Sequence, residues 1–237
     1  METVPKTNTL NPSIVRKAKA HAELYGVATL SSLVRVVTAL DHGLAHRIAG
    51  EFVAKNVWSP HKAIIGGTLT ECYCPVTVKR QAPPLQERLA VLRFCCSTPS
   101  ARPLFDAPHF AKVVEGVADR ARLKAPQWQP CYPHRSNATD PERMSLIRVA
   151  PTRSLQKAIE DIDEFVSSDG FNVWRCFALG QIFVLTYLFP GDQNQANELS
   201  RWIRRRVPVC RIGKTPTPVP VWIYPTPPVV IRPMAAA

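Results

Sequence analysis

Glycine is scarce in this chain, with 10 residues among 237 against 23 prolines. None of the ten falls in a dinucleotide fingerprint, a phosphate-binding loop or a G-x-S-x-G elbow. Those absences exclude the common nucleotide-binding and serine-hydrolase signatures. No Cys-x2-Cys pair is present, and the cysteines are seven, an odd number. A disulfide framework is therefore not expected, and free thiols in a reducing, cytoplasmic setting are. Residues 1–11 are polar and contain proline, so no secretory signal is expected.

Acidic residues are also few: 18 against 30 Lys and Arg, a net charge of +12. The imbalance is uneven. Residues 1–150 carry 20 basic and 11 acidic side chains, residues 151–200 carry 3 and 7, and residues 201–237 carry 7 and none. Such an excess favours a polyanionic partner, nucleic acid above all. The longest apolar run, 171–189, is near membrane-spanning length, but Arg175 and Gln181 interrupt it. Each is costly at mid-bilayer, so a helix buried in a protein core is expected there.

Several helices announce themselves by their ends. Pro12 and Gly26 bracket an amphipathic stretch at 13–25. Thr29 can cap a short helix through Val37. Residues 43–57 carry Leu44, Ile48, Phe52 and Val53 on one face. Residues 63–80 then alternate around Gly66-Gly67, as a hairpin does. Pro75 predicts that its second strand lies at a sheet edge. Helices are expected at 107–123, 154–168 and 192–206, a helix or a helix entering a strand at 85–96, irregular chain at 124–151, and polyproline II or an extended edge strand from 207. The fold class read from this pattern is mainly α with a small β-hairpin. Three regions follow: 1–82 as a binding module, 83–152 as a proline-rich connection, and 153–237 as a helical region with an extended tail.

Residues 13–80 resemble winged helix-turn-helix DNA-binding proteins: a basic helix, two short helices and a hairpin ending in Lys79-Arg80. The resemblance implies a recognition helix beginning near His42, His46 and Arg47, with Lys55 further along it. Arg35 would lie on the preceding helix. Lys62, Lys79 and Arg80 would meet backbone phosphates from the wing, since phosphates position a protein and base edges specify. A second basic site is independent of it: Arg201, Arg204 and Arg205 surround Trp202 near the end of a helix. Either these arginines bind phosphate or they pair with the acidic residues 160–164. Arg122, Trp128, Tyr132 and His134 interleave basic and aromatic groups in a third stretch. Cys72, Cys74, Cys131 and His134 are weak zinc candidates, and no cofactor is expected.

The function expected from the sequence is non-enzymatic nucleic-acid binding. Duplex DNA is the favoured partner, with RNA possible, in a transcriptional regulator or DNA-transaction factor of a bacterial genome or mobile element. A homodimer or a protein-complex partner is expected. Two other classes remain open. One is a structural subunit of an RNA-guided or replication assembly, the other a peripheral membrane protein. A motif-free ribonuclease would leave no signature either.

Overall fold

In the computed structural model, local capping sets where the first helices begin and end. The structure describes residues 10–36, 41–77, 82–96, 102–122, 129–134, 143–168, 171, 183–212 and 215–232. Helix α1 (Pro12–Tyr25) starts where Asn11 accepts from the Ser13 amide at 2.9 Å. It stops at Gly26, whose φ of +67° is the left-handed conformation that glycine adopts without strain. Strand β1 (Ala28–Thr29) is only two residues long. The Thr29 hydroxyl accepts from the Ser32 amide at 3.1 Å and opens α2 (Leu30–Val36). Asp41 caps α3 (His42–Ala54) by accepting from the Leu44 amide at 2.6 Å.

Strands β2 (Trp58–Ile65) and β3 (Thr68–Pro75) form a two-residue hairpin. Gly66 and Gly67 have φ of +56° and +85°, which suits a primed turn and the strands' own twist. Strand β1 pairs with β3 at Cys72 and Tyr73. Pro75 therefore ends a strand lying between two others, not an edge strand. It is tolerated because β1 is too short to reach it. Helix α4 (Leu85–Cys96) follows.

A second compact unit spans 100–228. It contains α5 (Ala107–Ala121), β4 (Cys131–His134), β5 (Arg143–Val149), α6 (Leu155–Ser167), β6 (Phe183–Phe189) and α7 (Gln193–Arg205). A hairpin of β7 (Val209–Ile212) and β8 (Thr215–Pro218) precedes β9 (Val221–Pro225). Its sheet has the order β4-β5-β6-β9, with β6 parallel to both neighbours. The chain then returns to the first unit. Strand β10 (Val229–Arg232) adds antiparallel to β2, completing the order β1-β3-β2-β10.

Two four-stranded sheets overturn the expectation of a mainly α protein with one small hairpin. The C-terminal region is a mixed α/β body, not a helical one. The physical cause is clearest at 183–189, the run FVLTYLF. It was expected inside a buried helix spanning 171–189, yet it is the strand between β5 and β9. Val184 through Phe189 are all buried, so both faces are apolar and the alternation that marks a half-buried strand is erased. Residues 172–182 lie outside the described set. Strands β4 and β5 likewise occupy part of the segment expected to be irregular, and the tail takes the extended form, as four strands, two of them at the edges of the four-stranded sheets.

Each unit has its own core. Ala18, Ala22, Leu33, Ile48, Ala49 and Trp58 centre the first, with Trp58 edge-on to Phe52 at 4.5 Å between ring centroids. Leu146, Ile162, Leu185, Tyr187, Phe189 and Leu199 centre the second, where α6 and α7 pack on the sheet. Among the described residues no helix is long and apolar enough to cross a membrane.

Candidate nucleic-acid interface

Helix α3 is amphipathic in a way that fixes its outer face. Ala45, Ile48, Ala49 and Phe52 are buried. His42, His46, Arg47, Gly50, Glu51 and Lys55 are exposed. His42, His46 and Arg47 therefore lie on α3 and Lys55 is its C-cap, and all four are exposed. Two carboxylates temper that face. Asp41 holds the N-cap, and Glu51 pairs with Lys55 at 3.2 Å. A Cβ added at Gly50 would meet nothing within 4 Å. Core packing therefore does not require glycine there, and the helix surface stays low.

The hairpin carries a basic position of its own. Trp58 and Tyr73 lie in the helical core, so alternation puts Lys62 and Glu71 on the same sheet face, further along the ribbon. Strand β10 sets Arg232 directly beside Lys62. Sequence reasoning missed Arg232, because its neighbour is far away in the chain and only the strand pairing joins them. Next along the ribbon come Leu69, Ile64 and Val230, with Leu69 58% and Val230 54% exposed. The hairpin end is thus apolar rather than basic. Lys79 and Arg80 lie outside the described residues.

Arg35 has structural work: its guanidinium donates to the Cys96 carbonyl at 3.2 Å, at the last residue of α4. This satisfies an orphan carbonyl of the helix end.

The second basic site sits on α7. Asp192 and Gln195 form a reciprocal capping box at its start, and Ala196, Leu199 and Ile203 face the core. Trp202 is half-buried against that core, with the Arg206 guanidinium 5.3 Å from its ring centroid. Trp202 is therefore largely occupied within the fold, not a free stacking platform. Arg201, Arg204 and Arg205 are exposed and form no ion pair among the described residues. The acidic face of α6 does not neutralise them. Its Asp161 turns to Arg148 of β5 and to the Tyr187 hydroxyl instead.

Tyr132 of the third stretch is buried, its hydroxyl 3.0 Å from that of Thr186, and no base can stack on it. The zinc reading fares no better. Cys72 and Cys74 are in the core of the first unit and Cys131 in that of the second. Burial pushes the Cys72 and Cys131 thiols up to about 12. Nothing is described of the His134 side chain. No group of three or more His, Cys, Asp or Glu that could hold a metal occurs among the described residues.

No protein-family model, no curated protein and no solved structure matches this chain.

Proposed function

We propose that this protein binds nucleic acid through its first unit, as a regulator or transaction factor of duplex DNA, and performs no chemistry of its own on it. The observation that carries this reading is the outward face of α3. His42, His46 and Arg47 along the helix and Lys55 at its C-cap are all exposed, and the hairpin row Lys62–Arg232 lies on the helix side of the sheet. Helix, two-residue strand, two helices and a hairpin, with the short strand on the hairpin's second strand, is an order that presents one helix and one ribbon to a duplex. The net charge of +12 supports a polyanionic partner.

A binding panel of duplex DNA, single-stranded DNA and RNA tests the reading. Duplex DNA should bind best. Affinity should fall with salt at a log–log slope of about 0.9 per phosphate neutralised. Arg47→Ala with Lys55→Ala should weaken binding roughly tenfold or more. Arg204→Ala with Arg205→Ala is the comparison. If only that second pair matters, or if the salt response is flat, the reading fails.

The exposed row Leu69–Val230 favours a second reading, a structural subunit of a larger nucleoprotein assembly. A subunit should self-associate irregularly when isolated, whereas a regulator should elute as a discrete dimer.

A further inference from the structure

Strand β9 ends the order of the second unit's sheet, and among the described residues no strand pairs with its outer edge. The parallel ladder fixes which of its groups face inward. The Leu185 amide donates to the Pro220 carbonyl at 2.8 Å, and the Thr226 amide donates to the Phe189 carbonyl at 2.7 Å. Residues 220, 222, 224 and 226 therefore point at β6, because backbone groups alternate along a strand. Val221 and Ile223 then aim their N–H and C=O groups outward. Neither has a partner there among the described residues. An unpaired row of this kind is a template for another strand.

A groove of about 690 Å³ runs along this edge. Ile203, Val207, Val221 and Ile223 give it an apolar floor, and Arg201 and Arg204 of α7 stand on its rim. Both arginines are exposed and without an ion pair among the described residues. We propose that this groove is a peptide-docking site. An extended acidic segment of a partner protein would add as a fifth strand to β9. Its small apolar side chains would cover the floor, and its carboxylates would reach Arg201 and Arg204.

Two observations select this occupant. The outward groups at Val221 and Ile223 are amides at strand spacing, which another strand matches and a nucleic acid does not. A second copy paired edge to edge would bring its own Arg201 and Arg204 to the same seam, where like charges repel. The proposal stands independently of the nucleic-acid reading, which uses other residues.

The test is fluorescence anisotropy on the full chain, with a labelled peptide that intersperses glutamate among valine and threonine. Binding is expected. It should drop roughly tenfold or more when lysine replaces glutamate, or when Arg201→Ala is combined with Arg204→Ala. It should drop comparably when alternate peptide amides on one edge are N-methylated, which removes strand-pairing donors without touching the protein. Arg47→Ala with Lys55→Ala should leave it unchanged. An unaltered melting temperature shows that the double arginine variant is folded. No binding of the glutamate peptide, equal binding of the lysine peptide, or indifference to N-methylation overturns the proposal. So does oligo-dT binding, or dimerisation, that the arginine pair abolishes while the glutamate peptide stays silent.

Discussion

Arg148 grips Asp161 with a two-pronged fork: its Nε donates to Oδ2 at 2.9 Å and a terminal nitrogen donates to Oδ1. The fork joins β5 to α6. Tyr187 of β6 adds its hydroxyl to Oδ2 at 2.9 Å, and the Arg148 guanidinium lies 4.4 Å from the Phe165 ring centroid. Burial first, and the Asp161 carboxylate second, push the Tyr187 phenol up, so it stays a donor at any physiological pH. Three elements of the second unit thus meet at one carboxylate.

Asp161→Asn and Arg148→Ala should therefore each destabilise the second unit by about 1–3 kcal/mol. The lower part of that range fits Arg148, whose side chain is 34% exposed and so partly screened. The double variant should lose less than the sum of the singles, because both remove one interaction. Chemical denaturation of the three variants measures this, and strict additivity would contradict it.

His21 gives the first unit an acid-sensitive point. It is buried, with Nε2 3.1 Å from the Ser32 hydroxyl, and burial lowers its pKa to about 4. The folded state thus binds fewer protons than the unfolded state between about 4 and 6.5. Stability is full above 6.5 and falls as pH drops through that window, by at most about 1.4 kcal/mol per pH unit. Melting curves across the window should show this slope, and His21→Gln should flatten it. Equal slopes in the two proteins would exclude His21 as the cause.

Gly26 should resist replacement. Its φ is +67°, and a Cβ there would meet Arg88 Cδ at 2.9 Å. Arg88 also donates to the Gly26 carbonyl and, through Nε, to the Pro83 carbonyl at 3.0 Å. Gly26→Ala should cost about 1–2 kcal/mol in thermal unfolding, from backbone strain and displacement of that arginine. A neutral effect would show that the helix end relaxes freely.

The six described cysteines are buried, and none of them forms a disulfide. With burial pushing Cys96 up to about 11, and Cys72 and Cys131 up to about 12, they should be poor nucleophiles in the native state. A thiol reagent read by mass spectrometry should label Cys72, Cys96 and Cys131 slowly in native protein and quickly after denaturation. Rapid native labelling of Cys131 would mean that the second core opens.

Where local chemistry decides, the chain was legible. The caps at Thr29, Ser154 and Asp192 were visible as short polar residues before apolar periodicity, and a helix starts after each of the three. The Gly66-Gly67 hairpin was legible for the same reason. The exposed residues of α3 followed from its apolar period. What failed was distant in sequence. FVLTYLF reads alike as a buried helix or a central strand, and only its two neighbours in the sheet make it a strand. Arg35, Trp202 and Tyr132 carried the right residue types for binding, but their fates depended on Cys96, on the core under α7 and on Thr186.

The sequence by itself determined the helix ends, the hairpin turn, the excess of positive charge and the free thiols. These depend on backbone conformations and side-chain types within a few residues of each other. The tertiary structure alone decided that the C-terminal half is built on a sheet. It also placed Arg232 beside Lys62 and brought Arg201 and Arg204 to one groove with Val221 and Ile223 of β9. Strand pairing joins backbone groups that are alike in every residue, so partner and register come from which apolar faces can be buried together, not from any local pattern.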